Sequence, residues 1–288
     1  MGSVHSIDVA KAIATLITNG GELKDFFYPN KLKVAAAPII AVPTTAGSGS
    51  EVTPFAVISD KEKGTKENII DIKCSPAIAL LDPNVLLKAP HHIMASTGID
   101  AMVHAIEAYT CNRSVLYTDI YAIKAIELIA NNLINACENH DIESCTNIML
   151  ASNMAGIAFG YSDVAAIHCL AEALGGQYNI PHGVACSIFL PTVTEYNIPS
   201  NPKKYADIAR AMGIEKESMT TEQLANSVVP ALKKLCQDLK LPKLKDIAIV
   251  DPIHFKAIAI KASQNASNSS NPVKFSVNNY LDIIKKTY

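Results

Sequence analysis

The chain has 288 residues, of which 49% are hydrophobic and 18% are charged. This apolar content is enough for a large core and excludes a globally disordered chain. The 25 basic and 27 acidic residues give a net charge of −2, so we expect neither nucleic acid nor a membrane as the main partner. Seven cysteines without a CxxC pair, and a start that lacks the pattern of a secretory signal, indicate reduced thiols and a cytoplasmic location.

The first part of the chain alternates helical and strand-like patterns. Helical periodicity predicts a helix over residues 7–17, ended by the Asn-Gly-Gly at 19–21. Apolar runs predict strands in residues 34–43, 55–60 and 75–83. The charged segment 61–68 is expected to form a turn. We therefore predict an α/β segment over residues 1–88.

After Pro90 the strand-like runs nearly vanish and helical periodicity dominates. Helices are predicted over residues 96–109, 117–139, 144–159, 164–174, 205–212, 221–239 and 254–264. An all-α domain is therefore expected over residues 89–288, with the domain boundary between Asp82 and Pro90.

Four residues could form a metal site. Asp100 and His104 stand four residues apart in a predicted helix, so their side chains share one face. His168 lies in an otherwise apolar helix, where a buried imidazole needs a polar partner, and His182 follows a Gly-Gly helix stop that lets the chain turn back. One carboxylate and three imidazoles suit a divalent first-row metal. The alternative is an exposed helical pair and two unrelated histidines.

Two glutamates stand at helical spacing from these histidines. Glu107 is three residues after His104, and Glu172 is four residues after His168. Either could accept a hydrogen bond from a metal ligand or bind the metal itself, but surface or capping roles are favoured.

The segment PTTAGSGSE, residues 43–51, follows a predicted buried strand. Its glycines allow close approach of the backbone, and its hydroxyl and N–H groups can donate to phosphate or ribose. The same composition also fits an ordinary polar loop. Gly2 and Ser3, just before the first helix, could be the remainder of a glycine-rich phosphate turn.

Together these segments resemble the iron-containing (group III) alcohol dehydrogenase family. The motifs PTTAGSGSEVT, AIALLDP, TGIDAMVHAIEAY and HCLAEALGGQYNIPHGVA stand in the family's order and extend across most of the chain. The resemblance implies a partial Rossmann-like, dinucleotide-binding α/β domain in residues 1–88. It also implies a helical, metal-binding catalytic domain in residues 89–288, with the active site in the cleft between them.

The resemblance assigns roles to individual residues. It implies that Fe²⁺ or Zn²⁺ is bound by Asp100, His104, His168 and His182. It implies that NAD or NADP is bound by Gly2, Ser3, Thr44, Thr45, Ser48 and Lys66. The implied reaction is reversible hydride transfer between this cofactor and a small primary alcohol or diol and its aldehyde. Assembly into a homo-oligomer is left open.

The chain departs from the family's pattern in two respects. The family has a substantial stretch before its GGGS turn, whereas this chain begins inside that motif, and many members have a histidine where this chain has Glu172. Two alternatives therefore stay open. One is a glycerol dehydrogenase-type relative, and the other is a catalytically impaired, truncated member that acts as a metal-binding helical module.

Overall fold

The computed structural model describes residues 4–60, 65–215 and 218–288. The α/β segment begins with helix α1, Val4–Asn19. Its strands are β1 (Ile40–Ala41), β2 (Phe55–Asp60), β3 (Thr65–Ile70) and β4 (Ile78–Ala79). Strands β2 and β3 pair in antiparallel fashion, with Phe55 opposite Ile70, while β1 and β4 pair in parallel, with Ile40 opposite Ile78.

This part confirms the predicted first helix and the predicted strand at 55–60. The predicted strands at 34–43 and 75–83 are wrong in length, because the ladder between β1 and β4 joins only two residues of each. The predicted turn at 61–68 is wrong in its second half, where Thr65 begins β3, and residues 61–64 lie outside the residues that the structure describes. Pairing with β2 outweighs the weak strand preference of the charged residues in that segment.

The remainder of the described chain is helical, which confirms the predicted change of architecture. The helices are α2 (His91–Thr110), α3 (Leu116–Asn139), α4 (Ile142–Tyr161), α5 (Ala166–Tyr178), α6 (His182–Asn197), α7 (Pro202–Ala211), α8 (Thr221–Asp238), α9 (Phe255–Gln264) and α10 (Val277–Thr287). Helices α6 and α10 were not predicted. The predicted helix stop at Gly175-Gly176 is also wrong, since α5 continues to Tyr178 and ends at Asn179 in the left-handed conformation.

Helix α6 escapes the periodicity test because it is buried on most of its circumference, so it has no clear polar face. It also contains Pro191, which lacks the N–H that would bond to the Ser187 carbonyl. That carbonyl instead lies 3.9 Å from the Cys236 Sγ, a weak donor on α8. A contact from another helix thus partly satisfies the group that the proline leaves unbonded.

Helix α2 lies at the centre of the helical part, and nearly every residue from Met94 to its end is buried. Helices α3, α4 and α6 pack around it. Close approach is possible because glycine lies at the contacts: a Cβ on Gly98 would meet Leu133, and a Cβ on Gly183 would lie 2.0 Å from the Ser96 carbonyl oxygen. The polar side chains of α2 are therefore held in the interior, where each needs a partner.

The segment 43–51 packs tightly against two of these helices. A Cβ on Gly47 would lie 2.9 Å from the Thr97 carbonyl oxygen on α2, and one on Gly49 would lie 2.4 Å from the Gly156 Cα on α4. Gly49 also has a φ of +60°, a conformation that favours glycine. The loop is thus held directly against the helical core.

The buried apolar residues form two clusters. The small one consists of residues from the α/β segment, from Ala12 to Cys74, and the large one consists mainly of residues from the helices. Outside them, one face of α1 exposes Val9, Ile13 and Ile17, with exposed fractions of 48%, 53% and 69%.

Within the described residues, no single helix is long and apolar enough to cross a bilayer. Helices α4 and α5, which meet at a bend of 101°, are together long and apolar enough to span a bilayer, but only length and composition indicate this. The domain boundary near residue 88 stays a prediction.

Gly49→Ala should destabilise the fold more than Gly213→Ala. Both glycines have positive φ, of +60° and +73°, but only Gly49 would bring a Cβ against another backbone. The left-handed conformation alone costs an alanine about 1–2 kcal/mol, and we expect the contact with α4 to raise the loss for Gly49→Ala to about 3 kcal/mol or more. Urea unfolding followed by circular dichroism measures both. Equal losses would contradict the close packing of this loop.

Candidate metal centre

Four side chains from three helices bring their donor atoms together. Helix α2 supplies Asp100, α5 supplies His168, and α6 supplies His182 and Cys186. One ligand atom from each lies within 4.8 Å of the others. Asp100, His168 and Cys186 are buried, while His182 is partly exposed and lies on the solvent side of the group.

The separations within this group are those of neighbouring atoms around one small centre. The Asp100 Oδ1 lies 3.5 Å from the His182 Nε2 and 3.9 Å from the His168 Nε2. The Nε2 of His168 is buried and has no hydrogen-bond partner in the described part of the chain. A buried imidazole nitrogen without a partner, beside a carboxylate and a second imidazole, is a donor set that fits Fe²⁺ or Zn²⁺.

Glu107 holds His168 in this orientation. Its Oε2 lies 2.6 Å from the His168 Nδ1, so the ring N–H donates to the carboxylate. The same carboxylate accepts from the backbone N–H groups of Ala165 and Ile167, at 2.8 Å and 2.6 Å, at the start of α5. This confirms two of the roles considered for Glu107, the capping of α5 and the acceptance of a hydrogen bond from His168. The alternative surface position is wrong, because the residue is 2% exposed.

Burial and charge act in opposite directions on the acid and the base of the group. Burial would lower the pKa of His168, but the charge and hydrogen bond of Glu107 outweigh it and raise the pKa above the usual 6.5. Burial would raise the pKa of Asp100, but the neighbouring histidines and a hydrogen bond from the Cys186 thiol hold it below the usual range. The carboxylate is therefore ionised at neutral pH and available to a cation.

The structure places His104 beside this group and not within it. Its ring stacks between Phe159 and His168, with centroid distances of 4.1 Å and 4.6 Å. Burial lowers the pKa of His104 to about 3, so its imidazole is neutral, and it makes a hydrogen bond with the backbone of Gly47. Its Nδ1 is buried without a partner among the described residues. His104 thus connects the centre to the 43–51 loop.

Sequence reasoning missed Cys186. Its Sγ lies 3.5 Å from the Asp100 Oδ1 and 3.7 Å from the His182 Nε2. The signal was the His-x-x-x-Cys spacing of 182 and 186, which places both side chains on one helical face. It could be used only once that segment was known to be helical.

The remaining predicted positions that the structure describes are not members of the metal group. Glu172 is exposed, and its Oε2 accepts from the Asn265 Nδ2 at 2.7 Å. Thr44 is exposed, whereas Thr45 and Ser48 are partly buried on the loop. Lys66 lies in β3, opposite Ser59. Gly2 and Ser3 lie outside the residues that the structure describes.

Two family profiles match the chain. The profile described as "Iron-containing alcohol dehydrogenase" covers residues 1–83, and the profile described as "Fe-containing alcohol dehydrogenase family, C-terminal" covers residues 94–288.

Among curated relatives, alcohol dehydrogenase 4 of Saccharomyces cerevisiae is 38% identical over 291 residues, which covers all of this chain and 74% of that protein. The NAD-dependent methanol dehydrogenase of Bacillus methanolicus is 33% identical over 99% of this chain and 75% of its own length. The crystal structure of a 1,3-propanediol oxidoreductase superposes with a TM-score of 0.95 at 34% identity, covering 98% of this chain and 74% of that one. The chain belongs to the iron-containing alcohol dehydrogenase family.

Proposed function

We propose that this chain catalyses reversible hydride transfer from a small primary alcohol or diol to NAD or NADP. The forward reaction gives the corresponding aldehyde and the reduced cofactor. The observation that carries this proposal is the buried donor group next to the 43–51 loop. Relatives named for NAD-dependent methanol oxidation and for 1,3-propanediol support the cofactor and the substrate class. No finding favours the alternative of a metal-binding module or of a glycerol dehydrogenase-type relative.

Asp100, His104, His168 and His182 are the metal ligands in this proposal. When bound, Fe²⁺ or Zn²⁺ supplies a Lewis acid that favours the alkoxide of the alcohol and polarises the carbonyl of the aldehyde. Glu107 keeps the proton of His168 on Nδ1, so the lone pair of Nε2 faces the centre. The buried partner-free Nδ1 of His104 supports its inclusion among the ligands.

The cofactor is held by Gly2, Ser3, Thr44, Thr45, Ser48 and Lys66 in this proposal. The Ser48 Oγ accepts from the Ser50 backbone N–H at 3.3 Å, which leaves its own O–H to donate to the cofactor. Because the loop packs against α2 three residues before Asp100, a dinucleotide on it would lie close to the metal centre. Residues 1–88 then form the cofactor domain and residues 89–288 the metal domain.

Two further expectations concern the whole molecule. We propose a cytoplasmic location, which the seven free cysteines support. We also propose self-association. The exposed apolar face of α1 supports it, since contiguous exposed apolar side chains are typical of contact surfaces.

Removal of one ligand should abolish both metal retention and turnover. His168→Ala is expected to lower Fe²⁺ or Zn²⁺ affinity and the rate of alcohol-dependent NAD(P) reduction by about 100-fold or more. His92→Ala, at an exposed histidine near the start of the same helix as Asp100, is the control and should change neither. Elemental analysis after dialysis and absorbance of the reduced cofactor measure the two effects. Full metal retention by His168→Ala would refute the site.

Glu107→Gln should weaken metal binding although Glu107 is not a ligand. The amide cannot accept from the His168 N–H and from two backbone N–H groups as a carboxylate does, so we expect a 10- to 100-fold loss of affinity, roughly. Glu172→Gln is the matched control, because that carboxylate is exposed and bonded to Asn265. Isothermal titration with Zn²⁺ compares the three proteins. The role assigned to Glu107 fails if both variants bind alike.

The pH dependence of metal binding follows from the raised pKa of His168. A protonated Nε2 cannot bind a metal, so affinity should fall as the pH decreases through a value above 6.5. Glu107→Gln removes the carboxylate that raises this pKa, so in that variant the fall should move to lower pH. Zn²⁺ titrations between about pH 5 and pH 8 test this. If the pH midpoint of Zn²⁺ binding is the same in Glu107→Gln and in the wild-type protein, Glu107 does not set the pKa of His168.

A further inference from the structure

We propose that Cys186 is an additional ligand of the metal and that its thiolate gives this chain a preference for Zn²⁺ over Fe²⁺. This inference rests on the proposed function, because it concerns the same centre. It goes beyond the ligands named there, which are one carboxylate and three imidazoles.

The distances around Cys186 are close to those between neighbouring donor atoms of one metal ion. With ligand bonds of about 2.0 Å to nitrogen or oxygen and about 2.3 Å to sulfur, neighbouring donors lie roughly 3.3–3.6 Å apart. The Cys186 Sγ lies 3.5 Å from the Asp100 Oδ1 and 3.7 Å from the His182 Nε2, and those two atoms are 3.5 Å apart. The His168 Nε2 lies slightly farther out, 3.9 Å from the Asp100 Oδ1, and all four ligand atoms lie within 4.8 Å of one another.

The Cys186 sulfur lies among the donor atoms of the metal group, where its thiol donates a hydrogen bond to the Asp100 Oδ1. Its side chain is fully buried and faces a carboxylate and an imidazole on one side of α6. The partner-free Nε2 of His168 belongs to the same group, and it is a buried polar atom that needs a partner there. Of the seven cysteines, only Cys186 belongs to the metal-ligating group found among the described residues.

A thiolate changes the charge and the softness of the centre. The thiol proton leaves to bulk water as the bond between sulfur and metal forms. Asp100 and Cys186 together then balance a divalent cation, as do the two thiolates of zinc sites with a Cys₂His ligand set. Sites with N, O and S donors generally bind Zn²⁺ more tightly than Fe²⁺, and a thiolate ligand adds to this preference. Cys186 thus adds a sulfur donor to Asp100, His168 and His182, and His104, whose ring stacks against His168, keeps its place among the ligands.

Spectroscopy of the metal tests this inference on the full chain. Zinc X-ray absorption of the wild-type protein should show one sulfur at about 2.3 Å, and the Co²⁺-loaded protein should show an intense thiolate charge-transfer band in the near ultraviolet. Cys186→Ser should lose both signals while it still binds Co²⁺. Cys236→Ser should keep both, and it is the matched control because that thiol contacts the same helix at the Ser187 carbonyl.

Competition between metals provides a second readout. We expect the preference for Zn²⁺ over Fe²⁺ to fall about tenfold or more in Cys186→Ser. Bound zinc without sulfur in the wild-type protein would overturn the inference and leave the proposed function intact. A wild-type chain that binds none of these metals would instead overturn the metal site itself. The wild-type spectrum decides the first question even if Cys186→Ser does not fold.

Discussion

A carboxylate in the interior of a helical core must be fully hydrogen-bonded, and Glu107 meets this requirement in a way that organises the centre. It accepts from the His168 ring and from two backbone N–H groups at the start of α5. These bonds attach α5 to the central helix and set the orientation of one metal-binding nitrogen. A buried carboxylate without these hydrogen bonds would cost roughly several kcal/mol, so the native structure strongly favours the positions of α5 and His168 that provide them.

The approach of the surrounding backbone depends on small residues at the contacts. Gly183 lets α6 lie against the Ser96 carbonyl, which brings His182 and Cys186 to Asp100. Gly47 and Gly49 let the loop lie against α2 and α4. The metal group and the loop are thus two sides of one packed region. This proximity is what hydride transfer between a dinucleotide and a bound alcohol requires.

The presence of Cys186 bears on what kind of Lewis acid the centre holds. A site with one carboxylate and neutral imidazoles keeps a net positive charge with a divalent ion, which stabilises an alkoxide. Adding a thiolate removes that charge and favours a softer ion. His104, stacked on Phe159 with its Nδ1 unpartnered among the described residues, can contribute its own nitrogen to the ion in either case.

The sequence alone was sufficient for the change from an α/β to a helical architecture, for most of the helices and for the pairing of Asp100 with His104 on one helical face. These follow from the 3.6-residue period, which is a local property of the chain. The tertiary structure decided the rest: the entry of Cys186 into the metal group, the place of His104 beside it and the length of strands β1 and β4. Those outcomes depend on contacts between residues far apart in sequence, such as Asp100 and Cys186, which are separated by 86 positions. Helix α6 shows the limit most clearly, since burial on most of its circumference removes the polar face that periodicity needs.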